Sequence, residues 1–232
     1  MTRDTASTHD GIRGCILGTA SRPAPCHAAV PSLHHSRQTP VNFLAHLWLA
    51  ERRGASLAGS ILGDVIRGGD LSAYPAPIAI AVRQHRRIDA ATDRHPAVVH
   101  LRGGYPDGQR RYAGIVLDLA YDHALALDWG RYSDEPLPAF CTRAGAAIAG
   151  AAPWFEQAGG RRSSARGFSD LLLSYAQAEG IDRAVLRTAS RLRRPEPLLD
   201  AARDWRQQLP ALRRSLPALL DDLGAIELED IA

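Results

Sequence analysis

Two short segments of this sequence set imidazoles and carboxylates at spacings suited to binding a divalent cation. In HRRIDAATD, His85 and Asp89 stand four residues apart, so on a helix both project from one face, within reach of a single ion. Imidazole with carboxylate is a common donor pair for transition metals. Asp93 follows one turn later, and Arg86 and Arg87 flank the pair. In DLAYDH, Asp118 and Asp122 share a helix face and His123 follows directly. Apolar residues such as Ile115, Leu117, Leu119 and Leu125 surround this second group. A buried carboxylate without a partner is costly, and a bound cation would remove that cost.

Two more polar side chains interrupt apolar segments, His46 in NFLAHL and Asp64 in ILGD. Taken singly, each has a plainer explanation. His46 equally fits a hydrogen-bonded core histidine, Asp64 a helix end, and Asp93 a solvated helix terminus. Taken together, five Asp and three His on apolar segments favour a metal cluster. Such a cluster suits phosphoester hydrolysis, because a bound ion acidifies water while the ion and nearby Arg neutralise phosphoryl charge. The chain has no GxSxG elbow, no Cys-His protease signature and no P-loop glycine string. Serine or cysteine nucleophiles and nucleotide-triphosphate cradling are therefore poorly supported.

Helices are the elements that must position these residues. After residue 41 the apolar residues recur at helical spacing: Phe43, Leu44, Leu47 and Trp48 on one face, with Asn42 as a candidate N-cap, then Ile61, Leu62, Val65 and Ile66 up to the stop at Gly68-Gly69. Long helices are expected over Ile78 to Arg94 and Arg110 to Trp129, and further ones over Phe140 to Ala151, Ser169 to Glu179, Asp182 to Arg191 and Pro197 to Leu223. No segment alternates with the period of a strand. The expected fold is all-α, one bundle of about seven or eight helices.

Composition sets the outer bounds. With 232 residues and 45% apolar content, one domain with a sizeable core is expected. Every apolar run is too short for a membrane span of roughly 20 residues, and no h-region marks a secretory signal, so a cytoplasmic, non-membrane protein is expected. Cys15, Cys26 and Cys141 show no CxxC spacing and are taken as reduced and incidental. All 28 basic residues are arginine, as a GC-rich genome would favour. Arg pairs at 86-87, 110-111, 161-162 and 193-194 offer donor forks to an acidic partner. A net charge of +3 is too small to indicate nucleic acid.

NFLAHLWLA, SLAGSILGDVIRG, HRRIDAATDRHP and GIVLDLAYDHALALDW resemble, in order and spacing, the motifs of the acyl carrier protein phosphodiesterase family, over residues 42 to about 205. The resemblance implies a helical architecture like the histidine-aspartate (HD) metal phosphohydrolases and a divalent ion, manganese or similar. It also implies hydrolysis of the phosphodiester joining 4'-phosphopantetheine to a serine of holo acyl carrier protein, an acidic partner in fatty acid biosynthesis. It carries metal-binding roles onto His46, Asp64, His85, Asp89, Asp93, Asp118, Asp122 and His123, and catalytic roles onto His85, Arg86, Asp89, Asp122 and His123. Ser60 stands where the family often has Asn, and Ala124 where it has an aromatic. Family members begin at MNFLAHL, so Val41 is expected as the true start of a domain over 41–232, with residues 1–40 a disordered leader or an over-extended gene start. Two other functions fit the residues: a related phosphohydrolase acting on another phosphoester such as a nucleotide, and a basic helical module whose Asp and His are structural.

Overall fold

The computed structural model describes residues 43–226. The expected leader at 1–40, Cys15, Cys26, the start at Val41 and the N-cap Asn42 lie outside the described residues.

Among the described residues there are eleven α-helices, two short 3-10 turns and no strand. In chain order the helices are α1 Phe43–Arg52, α2 Leu57–Leu62, α3 Ala76–Thr92, α4 Pro96–Gly103, α5 Asp107–Leu127, α6 Leu137–Gly150, α7 Ala152–Gln157, α8 Ala165–Ser174, α9 Ala178–Ala189, α10 Glu196–Ala201 and α11 Leu209–Gly224. The all-α class holds. The expected seven or eight helices become eleven because several are too short to show an apolar period of their own or continue the period of a neighbour. The segment Pro197 to Leu223 breaks into α10, a 3-10 turn at Trp205–Arg206–Gln207–Gln208 and α11. Pro210 sits at the start of α11, where its missing N–H is harmless, whereas a helix running on through it would lose a hydrogen bond and clash.

Helix α5 is the axis of the molecule. From Val116 to Ala126 nearly every side chain is buried, and a helix covered on all sides belongs in a core. It packs against α1, α4, α9, α10 and α11, while α2 lies on α3 and α6 on α8. Leu44, Leu47, Leu62, Val82, Leu125, Leu216 and Trp205 are almost fully enclosed. Cys141 is a buried free thiol, pushed up to about 12 by burial. No helix among the described residues is long and apolar enough to cross a membrane.

Candidate metal centre

Two helices and one helix end meet at the site. His46 comes from the middle of α1, Asp64 from the turn just past α2, and His85 and Asp89 from successive turns of α3. Ser56 starts α2 locally, its Oγ accepting from the Gly59 N–H at 3.1 Å. At the other end, Gly63 lies so close to α3 that a Cβ there would sit 2.3 Å from the His85 ring. Glycine at this position lets Asp64 reach the imidazole.

Asp89 bridges the two histidines. Its Oδ1 accepts from His46 Nε2 at 2.9 Å, and its Oδ2 lies 3.0 Å from His85 Nε2. Asp64 Oδ1 approaches the same His85 nitrogen at 3.2 Å. The two imidazoles stack with centroids 4.1 Å apart. His85 Nε2 is within ion-pair reach of two carboxylates, yet the directions satisfy no hydrogen bond, and the nitrogen is buried. His46, His85 and Asp89 each offer a donor atom, all within 4.8 Å of one another. An orphaned buried nitrogen among converging donors, two imidazoles and a carboxylate, fits a divalent first-row ion. These three residues form a possible metal-binding group.

The electrostatics follow from this crowding. Burial lowers His46, and the neighbouring His85 lowers it further, outweighing Asp89. Burial works against a charge on His85 too, but Asp64 and Asp89 prevail and raise it to about 10. Partial burial works to raise the carboxyl of Asp89, but the two imidazoles hold it well below the usual carboxylate range.

The other expected site residues have other partners. Asp122 is fully buried on α5, and its two carboxylate oxygens accept from the Leu44 and Ala45 N–H groups, each at 2.9 Å. It caps the helix that carries His46, closing amides that have no intrahelical acceptor. Burial pushes its carboxyl up to about 7 against the pull of those two donors. His123 points away from the cluster, with Nδ1 2.6 Å from the Tyr175 carbonyl and the ring edge-on to Trp205. Asp93 ends α3 and pairs with Arg102 at 2.6 Å, largely exposed. Asp118 lies next to the cluster but outside the group, sharing with His46 a small cavity of about 20 Å³ closed by Leu216, Leu219 and Leu220. Burial, and then the charge of Asp89, raise its carboxyl well above the ordinary value. Arg86 donates to the Ile66 carbonyl at 2.9 Å, fastening the turn that carries Asp64. Ser60, at its departure from the family pattern, bonds within its own helix, donating to the Leu57 carbonyl. Gly63 and the capping role of Asp122 escape sequence reasoning, because both depend on how helices pack.

The acyl carrier protein phosphodiesterase family matches residues 41–223. An acyl carrier protein phosphodiesterase of Enterobacter sp. is 37% identical over 174 residues, 73% of this chain and 86% of that protein. Those of Photorhabdus laumondii and Salmonella agona are each 42% identical, over 101 and 110 residues, or 43% and 47% of this chain. The matched segments span 51% and 57% of those two relatives, about half their length. No solved structure matches. The family match takes in every element that builds the cluster, and the chain belongs to the acyl carrier protein phosphodiesterase family.

Proposed function

We propose that this chain hydrolyses the phosphodiester between 4'-phosphopantetheine and the serine of holo acyl carrier protein, using a divalent cation, manganese by expectation, held by His46, His85 and Asp89. The observation that carries the reading is the convergence of these donors around a buried His85 nitrogen without a hydrogen bond. The relatives named acyl carrier protein phosphodiesterase support the substrate. The family match beginning at residue 41 supports a functional domain starting there.

When bound, the cation would supply Lewis acidity toward the phosphoryl oxygens and lower the pKa of water. The residues supply the rest. Asp89 holds both imidazoles in register through its two oxygens. Asp64, at the same His85 nitrogen, is a further ligand or an orienting partner, a position where substitution typically costs about 10 to 100-fold. Asp122 fixes α1 and with it His46, and Arg86 fixes the turn behind Asp64. Asp93 and His123 hold structure rather than substrate. In the overall reaction the oxygen of water bonds to phosphorus, the phosphorus–oxygen bond to serine breaks, and the serine oxygen gains a proton. The products are apo acyl carrier protein and 4'-phosphopantetheine.

Incubation of the purified chain with holo acyl carrier protein and manganese, followed by intact-mass spectrometry, tests the reading. The carrier protein is expected to lose the mass of phosphopantetheine. A carrier protein of unchanged mass, under conditions where the chain is folded and loaded with cation, would contradict it.

A further inference from the structure

A second feature lies on the surface beyond the end of α5, lined by none of the residues of the candidate metal centre. Here the 3-10 turn Trp129–Arg131 and the first half of α11 border a cleft of about 610 Å³. Arg131, Arg206, Arg213 and Arg214 line it, with Asp128 the one acidic residue among the lining side chains. Two of the four guanidinium groups are compensated. Arg213 pairs with Asp128, and Arg206 pairs with Asp182 while lying over the Trp205 ring at 5.0 Å. Arg131 and Arg214 are exposed and have no ion pair among the described residues. Leu209 and Pro217 also line the cleft, and Leu127, 45% exposed, stands just before Asp128.

Guanidinium forks beside apolar surface suit a protein segment that presents carboxylates next to apolar side chains. Free phosphate would leave the apolar side unused. Tertiary structure brings the four arginines together: Arg131 and Arg206 come from two short turns, and the adjacent Arg213 and Arg214 from α11. The cleft also lies along α5 and α11, two helices that line the small cavity shared by His46 and Asp118. Asp118, which shares the cavity with His46, is ten residues before Asp128 on α5, about 15 Å of helical rise. The buried face of α11, with Leu216 and Leu220, covers that cavity.

We propose that this arginine cleft docks the acidic protein substrate. The inference rests on the function proposed above, in that it takes the substrate to be a carrier protein. Docking at a charged rim acts on encounter more than on chemistry.

The test compares Arg131→Glu/Arg214→Glu with wild type and with Arg187→Glu/Arg191→Glu, two exposed residues outside the arginine pairs that change the charge equally. Turnover of holo acyl carrier protein, and anisotropy of the labelled carrier protein, are measured across ionic strength, with melting temperature as a check on folding. For the cleft variant, kcat/KM and affinity are expected to fall at least tenfold at low salt, with kcat at saturation and melting temperature unchanged. The difference should shrink toward 1 M salt, where screening acts over about 3 Å. An equal fall in the control pair would assign the effect to net charge and overturn the cleft. Unchanged kinetics in the cleft variant, with wild type active, would overturn the cleft alone. A variant that loses affinity for a single-stranded oligonucleotide but keeps carrier-protein turnover would give the cleft to nucleic acid and overturn the proposal. Wild type that neither binds nor cleaves the carrier protein would overturn the cleft together with the function it rests on.

Discussion

At His85 a proton stands where a cation would bind. With its pKa raised to about 10 by Asp64 and Asp89, the imidazole of the cation-free protein is charged at neutral pH. A metal needs it neutral, so loading must release that proton, and affinity should rise roughly tenfold per pH unit up to about pH 10 for each proton displaced. Calorimetry of manganese binding in buffers of different ionisation enthalpy reads the proton directly. About one proton released per ion near pH 8 is expected, and none would contradict the assignment of His85 as a ligand. Stability follows the same linkage. Because the folded-state pKa lies above the unfolded value, the charged His85 stabilises the cation-free fold fully below about pH 6.5, and this contribution fades as pH rises toward 10. The pair His85 and Asp89 was legible in the sequence because four residues on one helix fix a shared face. Its third member, His46, lies 43 residues from Asp89 and on another helix, so spacing could mark it as unusual but not say what it meets.

Two close approaches between elements hold the centre in place. Gly63 brings the end of α2 against His85 with no room for a methyl group. Gly63→Ala should therefore cost about 1 to 3 kcal/mol by overpacking and weaken cation binding as the ring is displaced. Thermal unfolding and a manganese titration on the same sample check both. A variant with wild-type stability and affinity would show that α2 can yield. The second approach is the Asp122 carboxylate on the α1 amides. Asp122→Asn leaves one acceptor and sets an amide donor against a backbone N–H, a loss of about 1 to 3 kcal/mol. Cation affinity should fall less than in His85→Ala, because His46 is loosened rather than removed. Loss of all bound cation in Asp122→Asn without loss of stability would instead make it a ligand. In the sequence, DLAYDH presents Asp122 and His123 as a ligand pair beside Asp118. In the structure they meet the α1 amides, 77 and 78 residues earlier, and the Tyr175 carbonyl, 52 residues later. Helical periodicity gives the face a residue occupies, and α5, buried on nearly every side, has several faces with different neighbours.

At the scale of the molecule, the all-α class was legible because apolar spacing persists at 3.6 residues from α1 to α11 and no strand period competes. Helix number was not. Proline at the start of α11 restarts a helix that the apolar pattern carries straight through, and α4 and α7 are too short to declare a period of their own. The fold then performs one task beyond enclosing a core: it draws α1, the end of α2 and α3 into contact, so that residues from three separate motifs meet around the His85 ring. The central claim is that this point holds the cation on which hydrolysis depends. The direct measurement is turnover of holo acyl carrier protein against bound manganese, by elemental analysis, during chelation and stepwise reloading of wild type and His85→Ala. In wild type, activity should vanish with the ion and return in proportion to it, while His85→Ala should neither retain manganese nor recover activity. Wild-type protein that remains fully active after exhaustive chelation, with no bound metal, would contradict the account.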